Sequence, residues 1–132
     1  MNAVPRKSSA EPLDLLGRPI RALRLSLTDQ CNLRCNYCMP EDDYNWLGKG
    51  QILKINEISS LVSSFRKLGI RKLRLTGGEP LLRPDIVEIV KTLKDCHPSL
   101  DLAMTTNATL LERLAKPLYH AGLRRVTVSL DS

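Results

Sequence analysis

Leu23-Arg24-Leu25-Ser26-Leu27-Thr28-Asp29-Gln30-Cys31-Asn32-Leu33-Arg34-Cys35-Asn36-Tyr37-Cys38 runs from an alternating segment straight into three closely spaced cysteines. Leu23, Leu25 and Leu27 fall on one side, and Arg24, Ser26 and Thr28 on the other. That period of two predicts a β-strand over Arg21 to Thr28 with one apolar and one polar face. The cysteines then sit on the loop that leaves the strand.

Downstream the period changes. From Asn56 a helix is predicted, with Ile58, Leu61, Val62, Phe65 and Leu68 at three- and four-residue steps and Gly69 as its stop. Lys72 to Thr76 reads as a second strand ending in Gly77-Gly78-Glu79-Pro80. A second helix starts near Pro84-Asp85, where proline is tolerated and a carboxylate suits the positive helix end. Its buried stripe is Ile86, Ile89, Val90 and Leu93. A third strand is expected over Leu100 to Thr105 and a third helix over Leu110 to Ala121. Pro117 should kink or shorten that helix. Gly122 ends it, and Arg125 to Leu130 gives a fourth strand. Cys96, in Asp95-Cys96-His97-Pro98, is expected in a loop with a structural or incidental role.

Strands alternating with amphipathic helices in the order βαβαβαβ imply an α/β fold with parallel strands and right-handed crossovers. No Gly-rich turn joins the first strand to a helix, which argues for a partial barrel over a dinucleotide-binding sheet. The strands alternate instead of reading as continuous apolar runs. Their polar faces carry Arg24, Ser26 and Thr28; Lys72, Arg74 and Thr76; Asp101, Ala103, Thr105 and Asn107; Thr127, Ser129 and Asp131. With the apolar faces packed on helices, these residues point into the barrel. Such an interior is costly unless it meets water or a polar ligand. An antiparallel sheet with one wet face is the alternative, and the helical crossovers argue against it.

The chain has 132 residues, a 42% hydrophobic and 26% charged composition, and a net charge of +6. Its cations are scattered and its aromatics are one Trp, three Tyr and one Phe, so no nucleic-acid partner is expected. No apolar run reaches membrane-spanning length, and no membrane partner is expected. Residues 1–12 lack the apolar stretch of a secretion signal and are expected to form a disordered polar tail. Residues 13–132 form the predicted domain. Four cysteines without an export signal fit thiols kept reduced in a cytoplasmic setting.

Cys31-x-x-x-Cys35-x-x-Cys38 is too tight for a disulfide framework and suits a metal. Three thiolates can hold three irons of a 4Fe–4S cluster and leave the fourth iron to an outside ligand, whereas most clusters take four cysteines. S-adenosyl-L-methionine (SAM) can fill that place through its amino and carboxylate groups. Zinc is the competing metal. Structural zinc wants four ligands, and only Cys35 and Cys38 form a knuckle, so Cys96 or His97 would have to complete the site.

Cys31 to Cys38, with Tyr37 directly before the last cysteine, resembles the radical SAM signature, and Gly77-Gly78-Glu79-Pro80 resembles that family's site for the SAM amino group. Longer strings narrow the resemblance. They are Asp14-Leu15-Leu16-Gly17-Arg18, Leu23 to Asp29, Tyr37-Cys38-Met39-Pro40-Glu41, Arg71 to Thr76, Thr105-Thr106-Asn107 and Val128 to Ser132. Together they resemble the GTP 3′,8-cyclase family of molybdenum-cofactor biosynthesis (the MoaA family), over nearly everything after residue 13.

The resemblance implies a partial (βα) radical SAM barrel, truncated after the fourth strand. It also implies a lyase with a 4Fe–4S cluster on Cys31, Cys35 and Cys38. Tyr37, Gly78 and Ser129 would contact SAM, while Arg24, Arg74, Thr105 and more weakly Lys72 would contact GTP. No side chain is assigned a catalytic role. Guanidinium forks suit phosphate, in keeping with Arg24 and Arg74 on the polar face. In the family reaction, hydrogen leaves the ribose 3′ carbon, which closes onto purine C8. An electron donor is implied, as is a C-terminal half or homodimer partner; the family's C-terminal region carries a second cysteine triplet. Gln30 stands where the family usually has Arg, and Ala108 where it has Gly; small effects are expected from both. The alternatives are a catalytically incompetent remnant of that enzyme, a zinc-binding module, and a radical SAM enzyme for another substrate.

Overall fold

A computed structural model describes residues 11–130. Residues 1–10, which hold most of the expected tail, and Asp131 of the polar face lie outside the described residues. Four strands, β1 (Ala22–Ser26), β2 (Lys72–Thr76), β3 (Asp101–Thr106) and β4 (Arg125–Val128), form one sheet in the order β1-β2-β3-β4. Every pairing is parallel. The crossovers are helices α1 (Ile55–Lys67), α2 (Ile86–Cys96) and α3 (Leu111–Ala121). The sheet is therefore the open parallel sheet of a partial barrel.

The alternation sorts the two faces. Leu25, Leu73, Leu75, Leu102 and Met104 are buried and pack with Ile58, Val62, Ile89, Val90, Leu93 and Leu118 from the three helices in one core. The predicted stripe of α2 is buried to the last residue. Burial of this kind contributes roughly 1.5–3 kcal/mol per large aliphatic side chain and stabilises the sheet against the helices. β4 is the exception: Val126 and Val128 are exposed, because no described element covers that strand's apolar face.

Three local expectations change. Cys96 closes α2 rather than lying in a loop; the helix extends because His97 N–H still donates to Leu93 O (2.9 Å), and Pro98 stops it. α3 is not shortened at Pro117 and runs on to Ala121. Leu118, buried beyond the proline, holds that last turn against the core, so packing outweighs propensity. Thr28 is buried rather than facing the polar interior. Near the amino end, Glu11 accepts from Arg21 (2.5 Å), and Leu13 bridges Pro19 in a small hairpin pinned by Asp14 and Arg18.

Arg83 ties the base of the layer together. Its guanidinium donates to Leu27 O (3.1 Å), Leu53 O (2.9 Å) and both oxygens of Asp85, which precedes α2. That hydrogen bonding holds the Asp85 carboxyl below its ordinary pKa. A carboxyl with a depressed folded pKa adds stability that is present above its unfolded pKa and lost as pH falls through the folded one. Asp85→Asn is expected to lower stability at neutral pH and to flatten the loss of stability on acidification. Denaturant titrations across the acid range check this, and identical acid slopes would contradict it.

Candidate functional site

The carboxyl ends of parallel strands collect the loops, and this is where open α/β sheets bind ligands. Here the end of β1 and the end of β2 approach each other unusually closely. Gly78 N–H donates to Thr28 O and Glu79 N–H to Gln30 O, both at 2.8 Å. A Cβ on Gly77 would meet Thr28 O at 2.7 Å, and one on Gly78 would overlap Gln30 O. Only glycine allows this approach, so the Gly-Gly pair seats the root of the cysteine loop.

Glu79 does the rest of the joining. It is 1% exposed and accepts from Leu81 N–H (3.1 Å), Thr106 Oγ1 (2.5 Å) and Asn107 N–H (2.7 Å). A buried carboxylate is tolerated when its lone pairs are filled in this way. The strand ends of β2 and β3 are thereby locked beside the cysteine loop.

The loop itself is braced from both sides. Cys38 N–H and Met39 N–H donate to Cys35 O at 3.0 and 2.8 Å, closing a turn between the last two cysteines. Cys31 Sγ receives Leu33 N–H at 3.5 Å and the Asn107 side-chain amide at 3.9 Å. Asn32 reaches across to Thr109 and Asn107. Arg34 donates to Cys31 O (2.7 Å) and Leu33 O, and its guanidinium lies over Tyr44 and Trp46, 5.6 and 5.3 Å from the ring centroids. Those two rings stack on each other. Asp29 Oδ2 accepts Leu47 N–H at 2.7 Å, while Asp29 Oδ1 is buried without a partner among the described residues.

Cys31, Cys35 and Cys38 thus share one loop as donors, and none is in a disulfide. Among the described residues no three of Cys, His, Asp and Glu converge on a point as a single metal ion requires. A 4Fe–4S cluster asks for something else, one thiolate for each of three separate irons. The three-thiol loop fits that demand by its donor set and its rigid seat. Cys96 and His97 lie at the end of α2, where a crossover helix returns to the amino ends of the strands. They contact Ser59 and Ser63 of α1 and face away from the loop's end of the sheet.

The remaining expected site residues fall into two groups. Tyr37 is exposed on the loop, Gly78 follows β2, and Ser129 follows β4, its N–H extending the ladder to Thr106 O (2.9 Å). All three occupy the carboxyl end of the sheet. Arg24 and Arg74 are register partners on β1 and β2, and Lys72 lies two residues before Arg74. With Arg125 and Asp101 these cations border a cleft of about 250 Å³ on the polar face. Arg125 pairs with Asp101 at 2.8 Å, so one carboxylate faces four cations. Arg74 passes Ala103, its small register partner, to donate to Thr105 Oγ1 (3.0 Å) and Thr127 Oγ1 (2.8 Å). Neither Arg24 nor Lys72 has a hydrogen bond or ion pair among the described residues.

A radical SAM superfamily model matches residues 25–132. The chain belongs to the radical SAM superfamily. Its members carry a 4Fe–4S cluster and SAM, in agreement with the three-thiol loop. Among curated relatives, the GTP 3′,8-cyclase of Acidothermus cellulolyticus is 52% identical over 123 residues, covering 90% of this chain and 34% of the relative. That of Aquifex aeolicus is 52% identical over 121 residues, covering 91% and 38%. GTP 3′,8-cyclase 3 of Mycobacterium bovis is 49% identical over 123 residues, covering 90% and 32%. The chain spans about a third of the length of the curated relatives it matches.

Glu79, Asn32 and Asn107 entered the sequence reading only as members of motifs or of the polar face, and Thr109 did not enter it. Thr-Thr-Asn was legible as a string, but its role depends on a buried carboxylate two strands' connection away. Ala108 stands in a backbone conformation that glycine adopts more easily. Its φ is +65°, the one non-glycine residue with positive φ among the described residues. The left-handed backbone costs an L-residue roughly 1–2 kcal/mol. Glycine gives back roughly 0.4–1 kcal/mol through its freer unfolded chain. Ala108→Gly is expected to raise stability by about 0.5–1 kcal/mol. Equilibrium denaturation checks this, and a lower midpoint for the glycine variant would contradict it.

Proposed function

We propose that this chain is the cluster-bearing and triphosphate-binding portion of a GTP 3′,8-cyclase, a radical SAM lyase that cyclises GTP in the first step of molybdenum-cofactor biosynthesis. The observation that carries the proposal is the pairing of two sites on one sheet. A three-thiol loop stands at the carboxyl end of the strands, and a cationic cleft lies on the polar face below it. Identity near 50% to proteins named GTP 3′,8-cyclase supports it.

Cys31, Cys35 and Cys38 would hold the cluster, and Tyr37, Gly78 and Ser129 would contact SAM. When bound, the two together supply hydrogen abstraction from the substrate. The chain's own residues do the rest by binding and orienting. Arg24, Arg74 and Lys72 would neutralise the triphosphate, with Thr105 fixing the direction of the Arg74 guanidinium. An unpartnered Arg24 beside Arg74 is a like-charge pair, and an anion between them would relieve the repulsion. An electron donor is required from outside. The substrate and the remaining parts of the site belong to the whole enzyme, since the relatives are about three times as long.

Two measurements test the reading separately. After anaerobic reconstitution with iron and sulfide, Cys35→Ala is expected to lose most of the iron and the visible absorption of the cluster. Colourless wild-type protein holding one zinc would support a zinc module instead. In calorimetric titration with GTP, Arg24→Ala and Arg74→Ala are each expected to weaken binding by about tenfold or more, the loss of a charge-assisted phosphate contact. Arg74→Lys should recover only part of this, because a point charge lacks the fork. Unchanged GTP affinity in both alanine variants would remove the substrate assignment and leave the cluster assignment standing.

A further inference from the structure

We propose that Asn107 is a positioning residue for Cys31, locking the first cysteine to the end of β3 and donating a hydrogen bond to its sulfur. The proposal rests on the reading of Cys31 as a cluster ligand.

Three side chains form a closed ring. Asn107 Nδ2 donates to Asn32 Oδ1, Asn32 Nδ2 donates to Thr109 Oγ1, and Thr109 Oγ1 donates to Asn107 Oδ1, each at 2.8 Å. The ring spans the chain from the cysteine loop to the loop after β3. Hydrogen bonds running head to tail in this way polarise one another.

The direction of the ring is not arbitrary. Thr109 N–H can only donate, and it donates to Asn107 Oδ1 at 3.1 Å. An amide oxygen is told from its nitrogen by such a partner. With Oδ1 committed to Thr109, the Asn107 NH₂ must face the cysteine loop. One of its hydrogens goes to Asn32, and the other points to Cys31 Sγ, 3.9 Å away. The opposite orientation would set a carbonyl oxygen against a thiolate.

Asn107 is itself held from below. Its backbone N–H donates to the buried Glu79 carboxylate at 2.7 Å, and Ala108 N–H donates to Thr106 Oγ1 at 3.1 Å. The amide therefore stands on the rigid joint between β2 and β3. Among the described residues, Cys31 is the one candidate ligand with side-chain and backbone N–H donors on its sulfur: Asn107 and Leu33. Hydrogen bonds to ligand sulfur stabilise the more negative, reduced state of an iron–sulfur cluster and raise its potential. The arrangement singles out one of three sulfurs for that effect.

Asn107→Ala and Asn32→Ala separate the two parts of the proposal. Both open the ring, but only Asn107→Ala removes the donor to sulfur, and the backbone bond to Glu79 survives in each. In apo protein, amide exchange across residues 31–34 is expected to speed up several-fold in both variants. In anaerobically reconstituted protein, the cluster midpoint potential is expected to move to a more negative value in Asn107→Ala and to stay near wild type in Asn32→Ala. A wild-type midpoint in Asn107→Ala, or equal shifts in both variants, would overturn the sulfur contact. Unchanged exchange in both would overturn the clamp. Wild-type protein that takes up no iron would overturn the underlying cluster assignment and the sulfur role with it.

Discussion

Glu79 stands where β2 ends, with 1% of its surface exposed and three donors upon its carboxylate, two from the end of β3 and one from the turn that follows Glu79 itself. Gly77 and Gly78 before it let β2 close against Thr28 and Gln30, at the root of the cysteine loop. The loop has little regular structure of its own, so its shape is imposed by this joint. Removing the carboxylate would leave buried donors unpaired at roughly 1–3 kcal/mol each, a large fraction of a small domain's stability. The Asn107 ring, the Cys31 sulfur contact and the strained Ala108 all branch from the same point.

The two faces of the sheet divide the work. One is closed by α1, α2 and α3 over a leucine- and isoleucine-rich core. The other carries Arg24, Lys72, Arg74 and Arg125 against Asp101, around a cleft that none of the three helices covers. Self-repulsion among those cations is a cost of folding, and an anionic ligand would offset it. Arg74 is held by two threonine hydroxyls, so its guanidinium is oriented before any ligand arrives. Orientation of that sort lowers the ordering cost of binding.

Much of this was legible in the residues. Lys72 to Thr76 alternates cleanly and is bounded by Arg71 and Gly77, and β2 has those limits. Ile86, Ile89, Val90 and Leu93 repeat at helical steps, and all four are buried. Local periodicity suffices where one face of an element meets one core. It fails where a distant group decides. Cys96 read as loop because His97-Pro98 follows, yet one more backbone hydrogen bond carries the helix through it. Pro117 read as a kink or a shortening, yet the helix runs on to Ala121 with Leu118 anchored in the core. Nothing local to Thr105-Thr106-Asn107 shows that Glu79 will receive two of its donors. The thiol spacing and the cations on alternate strand positions were visible directly, because spacing along one segment is their whole signal.

The central claim is that three sulfurs of one braced loop leave one iron of a cluster open to the amino and carboxylate groups of SAM. Electron paramagnetic resonance of the dithionite-reduced, reconstituted protein, with and without SAM, tests it most directly. A reduced-cluster signal whose shape changes on adding SAM is expected. A cluster signal indifferent to saturating SAM, or no cluster signal from iron-loaded protein, would contradict it.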